Sequence, residues 1–280
     1  MLRELGIKVM KDLLSVGRNV SDSTNIGGPV YVMSLLGYTY WQQAGPMAGA
    51  ETQFLVNGSG PLTNIGLDIG TQETFRNRSN FSAATQQALS WNPADWPLIE
   101  NSLTSSSRAL SSDKNKQYGV IGCILIAATS RGNMTIQSAD NMVPPIIDPG
   151  WLREESDQEV AIKAYHRARK AWQAVLDGIR IGQEVSPGQN VTTDTQLLDY
   201  TKQHIAPIHH ASSSCAMGKS DNPMAVVDSK GWVHGMQRLR VIDSSSFSFT
   251  PPGHTQGVTY AHTEKLVEDM FNDCFAGEPY

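Results

Sequence analysis

The sequence predicts a mixed α/β chain, because patterns typical of strands and of amphipathic helices both occur along it. Apolar residues at three- and four-residue steps from Ala161 to Ile179 predict a helix. Two short apolar runs, residues 119–129 and 134–138, are joined by an Arg-Gly-Asn turn and predict two strands. A last helix is predicted from about Thr255 onwards, with apolar residues almost all round, so we expect it to be well buried.

Local signals refine this pattern. Ser156 and Glu159 match a capping box, in which the two side chains satisfy backbone N–H groups at a helix start, so the first helix is predicted to begin there. Tyr165 and Trp172 lie on the apolar stripe of that helix; such a stripe could line a cofactor, but we interpret it as plain core. Residues 238–242 are predicted to form a compact buried strand.

Composition and charge limit the classes of function. The chain of 280 residues can form one large or two modest domains, and its 40% hydrophobic and 18% charged residues are typical of a soluble globular protein. A net charge of -5 with no basic block argues against nucleic acid and against an anionic membrane surface as partners. No apolar run is long enough to span a bilayer.

The three cysteines have neither the spacing of a disulfide framework nor that of a zinc module. Cys215 lies beside two histidines and could be a reactive thiol, but we interpret it as a small residue that packs under a loop.

The start of the chain and its sequons bear on the parent protein. Residues 1–6 resemble the last turn of a helix ended by glycine, without a charged-then-apolar signal segment, so we expect the chain to start in mid-domain. The chain also lacks the Gly-x-Gly-x-x-Gly turn that admits a pyrophosphate to a helix N-terminus. Six N-glycosylation sequons favour a secreted, glycosylated parent protein, although the localisation stays open; they lie at Asn19, Asn57, Asn77, Asn80, Asn133 and Asn190.

Most of the functional information lies in residues 209–268. This segment contains a histidine-bearing loop (residues 209–218), an apolar run that ends at Asp243, and a second histidine, His254, on a proline-glycine turn. Histidine titrates near neutral pH, so two histidines brought to one site can share the work of proton transfer.

Two other interpretations of the histidines compete with this one. His204, His209, His210 and Cys215 could supply zinc ligands, but no compact four-ligand spacing supports a metal site, and we predict none. His204, His209 and His234 could instead be ordinary surface or core residues, which is the interpretation we adopt for these three. We assign no role to the histidines on predicted helices, His166 and His262.

The order of these motifs resembles the C-terminal signature of the glucose-methanol-choline (GMC) flavin oxidoreductases, in particular the fungal alcohol oxidases and dehydrogenases. The resemblance covers nearly the whole chain and is specific as a set rather than through any single motif. Its parts are Leu5-Gly6-Ile7, Val16-Gly17-Arg18-Asn19-Val20, Ser130-Arg131-Gly132, Ser138-Ala139-Asp140, the histidine five residues before Cys215-Ala216-Met217-Gly218, Val226-Val227-Asp228, residues 239–244, and Gly253-His254-Thr255-Gln256.

The resemblance implies a fold and a domain scheme. The chain would be the C-terminal half of an FAD-binding GMC-type fold, with an antiparallel-sheet substrate domain and without the N-terminal Rossmann portion. Residues 1–29 would be a remnant of the FAD-binding domain, residues 30–205 the substrate-binding domain, and residues 206–280 the signature that returns to the FAD-binding domain.

The resemblance also implies roles for individual residues. His210 corresponds to the base that removes the hydroxyl proton of an alcohol while hydride leaves the adjacent carbon for N5 of the flavin. His254 corresponds to the partner that hydrogen-bonds the same oxygen. The electron acceptor would be oxygen or a quinone. Four residues would contact FAD: Asp243, Ser244, Thr255 and Gln256.

Departures from the family pattern leave the substrate open. Ser213-Ser214 stands where the family commonly has Gly-Thr, and Thr255 follows His254 where Pro or Asn is common. Two alternatives to an alcohol oxidase or dehydrogenase remain. One is a truncated, inactive GMC homologue, and the other is a non-redox, GMC-like cyclase of fungal secondary metabolism that uses the histidines for acid-base chemistry.

Overall fold

The structure, a computed structural model, describes residues 2–35, 37–41, 43–64, 67, 69–75, 77–105, 116–176 and 178–275. The strands are β1 (Arg18–Val20), β2 (Thr24–Asn25), β3 (Val30–Met33), β4 (Ile69–Glu73), β5 (Ile99–Thr104), β6 (Gln117–Leu125), β7 (Gly132–Thr135), β8 (Ile146–Asp148), β9 (Arg180–Ser186) and β10 (Ala206–Pro207). The helices are α1 (Tyr38–Trp41), α2 (Ala44–Asn57), α3 (Ala83–Ala88), α4 (Glu155–Gln173), α5 (Asp194–His204) and α6 (Gln256–Phe275), and 3-10 turns occupy Pro61–Thr63, Arg78–Asn80 and Ser244–Ser246.

The chain divides into two compact units. Unit 1 comprises Met1–Thr24, Ile126–Glu154 and Pro207–Tyr280, and unit 2 comprises Asn25–Leu125 and Glu155–Ala206. Residues 126–154, which the sequence-based scheme placed in the substrate domain, therefore lie in the same unit as both ends of the chain.

Unit 2 is built on an antiparallel sheet in the order β9-β3-β6-β5-β4. Helix α4 packs on this sheet through its apolar stripe, and the aromatic residues of that stripe are core residues, as predicted: Tyr165 is 0% exposed and Trp172 is 1% exposed. The Trp172 indole N–H donates to the Pro29 carbonyl at 3.0 Å, and its ring lies 4.8 Å from that of Tyr31. A Cβ at Gly119 would clash with Sδ of Met33 and lie 3.0 Å from the Trp172 ring, so the glycine on β6 leaves space that the Met33 side chain and the indole share.

Unit 1 has a small three-stranded antiparallel sheet in the order β1-β7-β8 and long irregular segments. Val226, Val227 and Val233 form a buried cluster on which Cys215, Met217 and Val241 pack. The C-terminal half of α6 is tied to this region by charge, because Asp273 pairs with both Lys230 and Arg240. The valine cluster and the ion pairs of Asp273 together hold the loops before Val226 and after Val233 in place.

The predicted fold class is confirmed: the chain is mixed α/β with antiparallel sheets. The predicted strand 119–129 corresponds to β6, whereas the predicted strand 134–138 overlaps β7 only at Met134 and Thr135, because Gly132 and Asn133 of the predicted turn belong to β7, which pairs with β1 and β8. Of the helices in the described residues, none combines the length and the hydropathy that crossing a membrane requires.

Three local predictions are wrong. Helix α4 begins one residue before Ser156, and the carboxylate of Glu159 accepts hydrogen bonds from Ser82 at 2.9–3.1 Å instead of closing a capping box. Residues 238–242 form only an isolated bridge between Arg240 and Trp232, and Leu239 is 46% exposed. Helix α6 buries Leu266 completely but leaves Tyr260 66% exposed, so in this chain it is not buried all round.

Candidate active site

Two histidines that are far apart in the sequence lie against each other in unit 1. The ring centroids of His210 and His254 are 4.7 Å apart, and the ring planes meet at 82°, so the edge of one imidazole faces the other. His210 is partly buried, whereas His254 is exposed. The structure thus brings together the two residues to which the resemblance assigns the catalytic roles; the roles themselves stay predictions.

The main chain around His210 is held by residues 21–22, which lie next to it in space. Ser21 and Ser212 exchange backbone hydrogen bonds of 3.0 and 2.8 Å, which makes an isolated antiparallel pair. His209 has a φ of 63°, a left-handed conformation that non-glycine residues seldom adopt. Its side chain is exposed, so the turn at His209 directs the two adjacent imidazoles to different surroundings.

Asp22 is a buried acid next to this turn. One carboxylate oxygen accepts the backbone N–H of His210 at 3.1 Å, and the other accepts the indole N–H of Trp151 at 3.2 Å. Burial raises the pKa of Asp22, while the two hydrogen bonds and the electrostatic effect of His209 act in the opposite direction. Asp22 was not predicted from the sequence; the available signal was its position two residues after Val20, the end of a stretch that carries part of the resemblance.

The loop that follows His210 runs alongside the 3-10 turn Ser244–Ser246. Three backbone N–H groups of the loop donate to three successive carbonyls of that turn at 2.7–3.1 Å: Ser213 to Ser244, Cys215 to Ser245, and Met217 to Ser246. The side chain of Ser212 is also hydrogen-bonded to the hydroxyl of Thr250 at 2.5 Å. The histidine loop is therefore joined to the segment that leads into His254.

Two of the predicted cofactor residues lie on this 3-10 turn. Asp243 is exposed and caps the turn, because its carboxylate accepts the Ser245 N–H at 2.7 Å. Ser244 is partly buried, and its hydroxyl lies 3.4 Å from the Ala211 carbonyl. Asp243 therefore caps this turn, and its exposed carboxylate retains room for a further hydrogen bond.

The other two predicted cofactor residues lie at the N-terminus of α6. Thr255 is 8% exposed and Gln256 is exposed. The first turn of a helix leaves backbone N–H groups without acceptors in the helix, and the helix dipole is positive at that end. A Cβ at Gly257 would meet no atom within 4 Å, so there is open space beside this turn.

Helix α6 and the 3-10 turn are joined by a histidine to which no role was assigned. His262 Nε2 lies 2.7 Å from the hydroxyl of Ser246, which is 0% exposed, and the imidazole packs edge-on against Phe247. Burial lowers the pKa of His262, which favours the neutral ring and a structural part in this contact. No local sequence pattern relates residues 246 and 262, which are 16 positions apart.

The cysteines and the remaining histidines are placed as follows. All three thiols are free, and burial raises the pKa of Cys215, which disfavours the nucleophilic thiolate. His204 stacks on Tyr200 in unit 2, and His234 Nε2 lies 3.0 Å from the Gly218 carbonyl in unit 1. Across the part of the chain that the structure describes, no three His, Cys, Asp or Glu side chains are grouped in a way that could hold a metal ion.

Comparison with known proteins gives the family. Residues 128–263, which include both histidines of the pair, match a family described as GMC oxidoreductase. The chain belongs to the GMC oxidoreductase family. The dehydrogenase pkfF of Emericella nidulans is 37% identical over 276 residues, which are 95% of this chain and 44% of that protein. Versicolorin B synthase of Aspergillus parasiticus is 33% identical over 270 residues, which are 96% of this chain and 42% of that protein.

A solved structure supports the GMC fold independently. A formate oxidase from Aspergillus oryzae superimposes with a TM-score of 0.85 at 19% identity, over 97% of this chain and 50% of that one. The chain thus spans about half the length of the GMC relatives that it matches. Asp22 lies outside the residues that the family match covers.

Proposed function

We propose that this GMC family member takes part in the FAD-dependent oxidation of an alcohol, with His210 as the base and His254 as its partner on the same oxygen. The observation that carries the proposal is the contact of the two imidazoles at 4.7 Å, since it allows one small substrate oxygen to lie within hydrogen-bond reach of both rings. The name of one relative, a dehydrogenase, supports redox chemistry.

The residues near the pair are compatible with a flavin. An isoalloxazine ring needs hydrogen-bond donors for its carbonyl and nitrogen atoms and a positive environment when it is reduced. The first turn of α6 supplies backbone N–H groups, a positive dipole end and open space beside Gly257, directly after His254. Asp243, Ser244, Thr255 and Gln256 are the side chains that would contact FAD, and Asp243 suits a ribityl hydroxyl because its carboxylate is exposed.

The two histidines would have different catalytic roles. When bound, FAD supplies the acceptor for the hydride. His210, partly buried and held at its backbone, is suited to receive the hydroxyl proton. His254, exposed at the helix start, is suited to donate a hydrogen bond to the oxygen as charge develops there. Oxygen or a quinone would then reoxidise the flavin.

The test is the anaerobic addition of alcohols to the purified, FAD-supplemented protein. We expect the protein to bind flavin, and the visible absorbance of the flavin to be lost when a suitable alcohol is added. Protein that binds no flavin even with excess FAD would contradict it and favour an inactive homologue.

A second candidate is a non-redox cyclase, favoured by the similarity to a synthase, versicolorin B synthase. It uses the same histidine pair for acid-base chemistry on a substrate with a hydroxyl group and a carbonyl group. Conversion of such a substrate to a cyclic isomer while the flavin spectrum stays oxidised would decide for the cyclase.

Replacement of His254 by asparagine should slow flavin reduction by about 10²-fold, because it removes the imidazole that stabilises charge on the oxygen. Asparagine keeps a polar side chain on the exposed turn, so the fold and the flavin content should not change. The measurement is the anaerobic reduction rate at saturating alcohol, with His234→Asn as the matched control, since His234 bonds the Gly218 carbonyl elsewhere in unit 1. Equal flavin reduction rates for His254→Asn and wild-type protein would show that His254 takes no part in the reaction.

A further inference from the structure

We infer that Asp22 is a positioning residue of the site: it fixes the backbone of His210, and through it the direction of the imidazole. The inference rests on the proposed function, because the effect of Asp22 is expressed through the base. The resemblance assigns no role to this residue.

The first observation is an interrupted strand pairing. Ser21 and Ser212 pair through two backbone hydrogen bonds, and in a continued antiparallel ladder the next such pair would join residues 23 and 210. The His210 N–H instead donates to the side chain of Asp22 at 3.1 Å. The carboxylate therefore takes the place of a backbone acceptor at the point where the pairing ends.

The second observation is the backbone at His209. Its φ of 63° lies in the left-handed region, which is disfavoured for a residue with a Cβ and persists where the surrounding contacts hold it. The next N–H along the chain, that of His210, donates to Asp22, so this hydrogen bond holds the backbone directly after the turn. Without it, the turn is free to relax, and His210 would lose its orientation toward His254.

The third observation is the anchoring of Asp22 itself. The side chain is 8% exposed, and its second oxygen accepts the Trp151 indole N–H at 3.2 Å. Both neighbours are donors, so a carboxylate satisfies both, whereas an amide can accept from one and must turn an NH₂ group toward the other. Asp22 thus connects its own segment of unit 1 to two others, at Trp151 and His210, which are 129 and 188 residues away in the sequence.

Orientation of a base matters strongly for proton transfer. A displacement of about 1 Å from a productive geometry can reduce a rate by about 10²-fold. We therefore expect Asp22→Ala to lower the rate constant of flavin reduction at saturating alcohol by about tenfold or more, with smaller losses for Asp22→Asn and for Trp151→Phe. The exposed aspartate at position 221 of the same unit provides the control, and Asp221→Ala should react like wild type.

The decisive comparison is made in a protein from which the base has already been removed. If Asp22 acts through His210, adding Asp22→Asn to a protein that already carries His210→Ala should change the residual reduction rate by less than about twofold. A merely structural aspartate would slow both backgrounds by the same factor, and that result would overturn the inference. So would wild-type reduction rates for both Asp22→Asn and Asp22→Ala.

The controls separate this inference from the proposed function. Flavin content and the midpoint of thermal unfolding are measured for every variant, and Asp22→Asn carries the test where Asp22→Ala does not fold. If His210→Ala itself leaves the reduction rate unchanged, the proposed function fails. If His210→Ala is slow while the Asp22 variants match wild type, only the role of Asp22 fails.

Discussion

Replacement of His210 by alanine should slow reduction of the bound flavin by an alcohol by about 10³-fold, the range expected for loss of a general base. The reason is that His210 is the more sheltered ring of the pair and the one whose backbone is fixed. Alanine leaves the backbone hydrogen bond to Asp22 available, so FAD should stay bound. The measurement is anaerobic stopped-flow absorbance of the flavin with the preferred alcohol, together with the flavin content of each preparation.

A matched control for this variant exists in unit 2. His166 is exposed and pairs with Asp194 at 2.7 Å on the surface, so His166→Ala should reduce its flavin at the wild-type rate. A reduction rate for His210→Ala within threefold of wild type, with full flavin content, would show that the base has been assigned to the wrong residue.

The largest loss of stability should come from Trp172→Ala, at about 3–5 kcal/mol in the free energy of unfolding. The indole is 1% exposed, contacts Tyr31 at 4.8 Å and donates to the Pro29 carbonyl at 3.0 Å, so its removal leaves a cavity and a buried carbonyl without its donor. Gly119 on the facing strand has no side chain, and the neighbouring side chain at that point is Met33.

Urea unfolding followed by circular dichroism measures this effect. Lys170 lies on the same helix and is exposed, so Lys170→Ala should change the free energy by less than about 0.5 kcal/mol. A loss below about 1 kcal/mol for Trp172→Ala would mean that the core of unit 2 is not packed around this residue.

The parts of the fold that could be predicted from sequence are those with strong local periodicity. The apolar stripe with Tyr165 and Trp172 predicted helix α4 and its buried face, because apolar residues at helical spacing lie on the side of a helix that packs against the core. The pairing of His210 with His254 could be anticipated only through the resemblance, since no local pattern relates two residues 44 positions apart.

Local sequence patterns could not predict contacts with residues that are distant in the chain, and in several places such contacts replace the local ones. Glu159 has the spacing of a capping box with Ser156, yet the backbone N–H and the hydroxyl of Ser82, 77 residues away, both donate to its carboxylate. Residues 238–242 are apolar enough for a strand, but their backbone pairing is limited to one bridge, between Arg240 and Trp232. The guanidinium of Arg240 also stacks over Trp232 and pairs with Asp273, which comes from a distant part of the chain. Asp22 was missed for the same reason, since its two hydrogen-bond donors come from remote segments.

The most direct test of the account is a double-mutant cycle on flavin reduction with His210→Ala, His254→Asn and the double variant. Because both rings are proposed to act on one oxygen, their effects should not multiply: the double variant should be slower than His210→Ala alone by less than about threefold, although His254→Asn alone costs about 10²-fold. A double variant slowed by the product of the two single effects would contradict the claim that the histidines serve the same atom.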